Sequence, residues 1–202
     1  MTKYVDPSYF KDLLDRSPEE VCKDALCQYD IDLKRYLCNV WGEAYAIYPQ
    51  TCRIETIQDN AYRPHEFFYL FIIYYLLYVK NIGIHENWIS EKDMPGGATF
   101  FRGPHEIPTY LITERFKNNV NLFKKTCEQL GGEVLNQADA AFLFHITPRI
   151  PIAVLYWEGD DDFPPEAKIL FDQSITQHLT LDIIFSLAAE VCTRLAKKFN
   201  CD

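Results

Sequence analysis

Thirteen consecutive apolar residues, 67–79 (FFYLFIIYYLLYV), constrain this chain more than any other stretch of it. A bilayer-spanning helix needs about 20 such residues, and a run this long wound as a helix reaches only about 20 Å. His65 and Glu66 precede the run and Lys80 follows it, so polar groups bound it closely at both ends. Being apolar all round, it has no face fit for water and predicts a helix enclosed by the rest of the protein. A chain of 202 residues can build that enclosure without disulfide or metal staples. The length suits one globular domain over 1–202, with 81–98 as the place where it would subdivide.

Aromatic residues make up 15% of the chain and charged residues 24%, a balance that fits a folded protein rather than a disordered one. The net charge of −9 comes without a Lys/Arg stripe, which argues against a nucleic-acid partner as the apolar run argues against a membrane. Seven cysteines stand at 22, 27, 38, 52, 127, 192 and 201, with no C-x-x-C pair and no zinc or iron–sulfur spacing. An odd count, and a start (MTKYVDPSYF) with no apolar signal core, point to reduced, mostly buried thiols in a cytoplasmic protein. No metal site is expected, and the oligomeric state is not readable.

Along the chain, 7–15 reads as a short helix, and Ser17-Pro18-Glu19-Glu20 starts another through a capping box. Residues 36–40 and 44–48 flank Trp41-Gly42-Glu43 as a hairpin, which a run at 52–57 extends into a meander before Asp59 and Asn60 break it. Thr109 caps a short helix to Phe116. Asn118 or Asn119 opens another, whose Val120, Phe123, Cys127 and Leu130 keep helical spacing up to Gly131-Gly132. Strands follow at 140–146 and 152–157. A last helix opens at Thr180, buries Leu181, Ile184, Ala188, Val191 and Leu195, and finishes on Lys197 and Lys198. Helices and strands come in blocks, so the fold class is α+β: an antiparallel sheet of meander and C-terminal strands, packed by helices that include the aromatic one and the amphipathic last one.

No dinucleotide, P-loop, nucleophile-elbow or zincin motif occurs. The acidic run Glu158-Gly159-Asp160-Asp161-Asp162 lacks EF-hand spacing, so a solvated turn with a local Asp cap is the ordinary reading, ahead of a metal site or a catalytic acid. Cys127 keeps core spacing and reads as packed rather than nucleophilic. His145, set among Phe142, Phe144 and Ile146, also reads as packed. His105, in the rigid loop Phe100-Phe101-Arg102-Gly103-Pro104-His105-Glu106-Ile107-Pro108, and His178, just ahead of the last helix, are the two histidines placed for chemistry. Arg102 and Arg149 could each hold an anion in bidentate fashion, against the plainer alternative of an internal ion pair to Asp160 or Asp172.

The order of GG, FFRGPHEIP, LGG at 130–132, Asp139 in QAD, PRIP, YWEGDDDFPPEAKILFD and QHL resembles the family called domain of unknown function 3786. The likeness is close over 95–181 and looser in the N-terminal half. Its most specific part is W-x-G-D-x-x-F-P followed by LFD, from Trp157 to Asp172. The resemblance implies a cytoplasmic protein of an anaerobe and names no chemistry. The appended iron–sulfur segment of some members has no counterpart here.

These observations favour a small-ligand or cofactor-binding module of anaerobic metabolism, with loops at 100–105 and 157–163 converging on one pocket. Its ligand-binding residues would be Arg102, His105, Arg149, Trp157, Asp160 and Asp172. The cofactor is left unnamed; a tetrapyrrole or corrinoid with His105 as axial ligand is one version. The alternatives are an enzyme working on an anionic substrate through Asp160, His105 or His178 with Arg149 or Arg102, and a protein–protein interaction module built on the aromatic wealth.

Overall fold

The computed structural model describes residues 5–58 and 62–197. The expected break at Asp59 and Asn60, the last-helix end at Lys198, and Cys201 fall outside them. Helices α1 (Pro7–Leu14) and α2 (Pro18–Ala25) lead into strands β1 (Gln28–Asp30), β2 (Arg35–Val40), β3 (Glu43–Tyr48) and β4 (Arg53–Thr56). After the aromatic helix α3 (Phe68–Tyr78) come β5 (Trp88–Ile89), α4 (Gly97–Phe100), α5 (Tyr110–Phe116) and α6 (Val120–Gln129). The chain ends with β6 (Glu133–Leu135), β7 (Ala140–Thr147), β8 (Ile150–Trp157), β9 (Glu166–Asp172), α7 (Ile175–His178) and α8 (Leu181–Ala196).

The fold is α+β, with its antiparallel strands divided between two sheets. The first is the meander β1-β2-β3-β4; the second has the order β5-β9-β8-β7-β6. The two meet where the backbone N–H of Trp41, in the β2–β3 turn, donates to the Ile146 carbonyl of β7 at 2.7 Å.

One continuous set of buried apolar residues runs from Val5 to Leu195 and includes both sheets. Helix α3 is at its centre: Phe71, Ile72, Ile73, Tyr75 and Leu76 are fully buried, as its unbroken apolar surface requires. The Tyr75 hydroxyl, a polar group in that interior, donates to the Ala25 carbonyl at 2.8 Å. Arg16 donates to the carbonyls of Leu76 and Leu77, filling acceptors that the end of α3 leaves open. No helix among the described residues is long and apolar enough to cross a membrane.

Three local expectations are corrected. Ser17 precedes α2 but forms no capping box; its hydroxyl bonds the Glu19 carboxylate instead. Thr109 likewise makes no side-chain cap to α5. His145 is exposed rather than packed, because strand alternation sends it to the face opposite Phe142, Phe144 and Ile146, where it lies 3.7 Å from Glu133.

Candidate functional site

The loop at 100–108 stands between two cavities, and the sequence just ahead of it dictates that placement. Strand β5 stops at Ile89 because Ser90 turns the chain: its N–H and hydroxyl both donate to Asp93, at 2.9 and 2.6 Å, in a true capping box. The chain then folds back so tightly that a Cβ at Gly97 would lie 1.9 Å from the Glu91 carbonyl oxygen. Helix α4 starts there, and Gly103 takes φ +57 to swing Pro104 and His105 outward.

On one side of this loop lies a polar cleft of about 730 Å³, which Arg102, Lys92, Glu106 and the β9 residues Glu166 to Ile169 help to line. On the other lies an apolar groove of about 370 Å³ between the loop, the start of α3 and one face of α8. His105 borders the groove. Its ring stacks on Phe100 (4.6 Å between centroids, 20° between planes) and meets the edge of Phe185 at 5.5 Å. His65 borders it too, with Phe67, Phe68 and Ala189.

The groove also reaches Glu190, which is only 2% exposed. Its Oε2 accepts the His65 backbone N–H at 2.9 Å, while its Oε1 accepts no hydrogen bond among the described residues. Burial pushes the Glu190 carboxyl above its ordinary range, with the His65 N–H, the Tyr62 hydroxyl and Arg194 acting the other way. Arg194 is held one turn on, between the rings of Trp41 and Tyr62 at 4.5 and 4.6 Å. This mostly apolar hollow thus has two imidazoles and one desolvated carboxyl at its border, with apolar walls and few polar groups.

The residues singled out from sequence are dispersed. His105 faces the groove and Arg102 the cleft, but Arg149, Trp157, Asp160, Asp172 and His178 line neither. Arg149 is 8% exposed, and each of its guanidinium nitrogens donates within the protein: to the carbonyls of Lys23, Asp24 and Ile82 and to the Asn81 side chain. It is thus a clamp on the end of α2, and neither Asp160 nor Asp172 pairs with it.

Asp160 is exposed and caps its own turn, accepting the N–H groups of Asp162 and Phe163 at 2.9 and 2.8 Å, which lower its pKa. Beside it, Glu158 accepts the Val120 N–H at the start of α6 (3.0 Å), and Asn118 bonds both backbone groups of Gly159. The acidic knuckle is therefore a brace for α6. Trp157 packs beside Leu155 on the outer face of the second sheet.

Asp172 and His178 are 1% and 3% exposed. Asp172 Oδ1 accepts from the N–H groups of His85 and Ser174 and from the Ser174 hydroxyl. Burial works against its ionisation, yet these bonds hold the carboxyl below its ordinary range. The loops at 100–105 and 157–163 do not meet at one cavity, so Arg149, His105 and Asp160 do not form one catalytic set. Among the described residues, no three His, Cys, Asp or Glu side chains gather into a metal-binding group.

Sequence reasoning missed His65, Phe185 and Glu190. A signal for the last was present: Glu190 falls on the same helical stripe as Ile183, Leu187 and Arg194, and a charge on a buried stripe marks a special position. The family model described as domain of unknown function (DUF3786) matches residues 17–194 of the chain. No curated protein and no solved structure matches it.

Proposed function

Because the chain belongs to the family of domain of unknown function 3786, whose description names no activity, we propose its function from geometry: it is a small-ligand-binding module, with the ligand seated in the apolar groove beside His105. The observation that carries this reading is the apolar groove itself, which His105 and His65 border and which the almost fully buried Glu190 carboxyl reaches. It calls for a ligand with an apolar body and one polar end that can donate a hydrogen bond to Glu190 or engage an imidazole. A macrocycle ligated by His105 is one member of that class, and a visible absorption band would identify it. A cytoplasmic setting belongs to the same proposal and rests on the odd count of seven cysteines.

Native mass spectrometry and anilinonaphthalene sulfonate fluorescence, on protein isolated without oxygen, test the reading. Ala189 is a small, half-buried residue of the groove, so Ala189→Trp fills the space without removing a polar group. Wild-type protein is expected to carry an extra mass of one ligand per chain or to bind the dye. Ala189→Trp should lose either signal, and His105→Ala should weaken it by about tenfold. Retention of the signal in Ala189→Trp, or a bare mass with no dye binding in the wild type, overturns the assignment.

A further inference from the structure

Two of the cysteines are brought together by the way α2 ends. Leu26 closes the helix in the left-handed region, at φ 51. Its N–H and that of Cys27 both donate to the Cys22 carbonyl, the latter at 3.3 Å. In a cap of this form, the side chain just past the left-handed residue packs against the one four positions before it. Here those two side chains are thiols. The Cys27 Sγ lies 3.9 Å from the Cys22 Sγ and donates toward it.

The backbone carrying the pair is held at each carbonyl from 22 to 25. The Cys22 oxygen takes the two capping N–H groups. Arg149 donates to the carbonyls of Lys23 and Asp24, and the Tyr75 hydroxyl to that of Ala25. The first hairpin brings a third thiol near. Gln28 stands opposite Leu37 and Tyr29 opposite Tyr36, so Cys27 and Cys38 are next in the same register. Cys38 is 3% exposed, whereas Cys22 and Cys27 are only half-buried and open to a small reagent.

We propose that Cys22 and Cys27 are a redox-active dithiol, oxidised reversibly to an intramolecular disulfide by a small-molecule disulfide. Burial raises both thiol pKa values, most at Cys27, while the hydrogen bond from Cys27 works the other way at Cys22. Cys22 therefore ionises first and is the attacking group. Its thiolate attacks one sulfur of the oxidant and expels a thiolate, leaving a mixed disulfide. Cys27 then gives up its proton, and its sulfur attacks the Cys22 Sγ and expels the second thiolate. One Sγ–Sγ bond forms and the oxidant's S–S bond breaks. The protein loses two electrons and two protons, and the oxidant leaves as two thiols. The sulfurs close from 3.9 Å to about 2.05 Å, a distance that side-chain rotation covers while the backbone stays clamped. A link that spans so short a segment constrains the unfolded chain little, which suits a reversible site rather than a structural staple.

Wild-type protein equilibrated with oxidised and reduced glutathione, then acid-quenched and alkylated, tests the proposal by mass spectrometry. Trypsin cuts after Lys23, between the two cysteines, so the disulfide is read as two peptides joined through Cys22 and Cys27. That joined species is expected, and dithiothreitol should separate it. Half-oxidation should need a ratio of oxidised to reduced glutathione at least about tenfold lower in the folded protein than in urea, because the fold holds the sulfurs together. Cys27→Ser should stop at the glutathione adduct on Cys22, and Cys22→Ser should give neither adduct nor link. The wild-type measurements stand even if a variant fails to fold. Two thiols that merely pack as small apolar groups give no link in the folded state, or one that needs the same ratio as in urea, and either result overturns the proposal. A link from Cys27 to Cys38 in place of Cys22 overturns it too.

Discussion

His178 closes α7 with its Nδ1 accepting the Lys80 backbone N–H at 3.2 Å, and its buried Nε2 has no partner among the described residues. Burial, reinforced by the positive charges of Arg149 and Lys80, depresses its pKa to about 4 from an ordinary 6.5. The folded protein thus refuses a proton that the unfolded chain accepts. Stability is fully present above pH 6.5 and falls as the pH drops from 6.5 toward 4, by about 3 kcal/mol in total. Glu190, with its carboxyl raised, acts in the opposite sense: its contribution is present below pH 4.5 and is lost as the pH rises through its folded value. His178→Asn keeps an acceptor for the Lys80 N–H but removes the titration. Urea unfolding between pH 7 and 4 should therefore show a flatter acid limb in the variant, and an unchanged limb would refute the assignment. Position picked out His178 in the sequence as a residue of interest. Its neutrality could not be read there, because Lys80 and Arg149 come from far along the chain.

Gly97 shows the same division at the level of elements. The Pro95-Gly96-Gly97 cluster marks a break in the chain, but only the folded structure reveals why each glycine is required: a Cβ at Gly97 would meet the Glu91 carbonyl at 1.9 Å, whereas Gly96 has 3.6 Å of room but takes φ +77. Backbone cannot yield as a flexible side chain can, so Gly97→Ala is expected to lower stability by about 1–3 kcal/mol. It should also shift Phe100, on which the groove residue His105 stacks, and so weaken dye binding; a variant with wild-type melting and wild-type dye binding would contradict this. Long elements such as α6 and α8 were readable because burial imprints a repeat over several turns, and α3 because its apolar run is unbroken. Strands β1 and β6, three residues each, carry too few positions to show an alternation. Strand β9 went unread because its apolar run covers only 169–171, Glu166 and Lys168 facing the solvent. The loop holding His105 was readable through its rigid Gly-Pro pair, but the other polar groups of its groove were not. Glu190 meets His65 across a sequence separation of 125, which no local pattern encodes.

Distant parts of the chain are also tied together at Arg149, in the tight turn between β7 and β8. Its guanidinium reaches the carbonyls of Lys23 and Asp24 at the end of α2, the carbonyl of Ile82 at 2.8 Å, and the Asn81 side chain. It thus joins the N-terminal helices and the segment after α3 to the second sheet. A positive charge among helix C-terminal carbonyls is also where the helix dipole favours one. Arg149→Met keeps much of the apolar stem and removes the donors, leaving several buried acceptors without partners. Losses of about 1 kcal/mol or more at each give an expected destabilisation of about 3–5 kcal/mol, or a melting temperature lower by about 10 °C. Because one core runs through both sheets, that loss should appear in the whole molecule at once. Far-ultraviolet circular dichroism, which follows all elements, and near-ultraviolet circular dichroism of the buried aromatics should then give the same lowered midpoint. Two separated transitions in the variant would mean that Arg149 couples two units able to unfold independently, and a single transition at the wild-type temperature would mean that it clamps nothing.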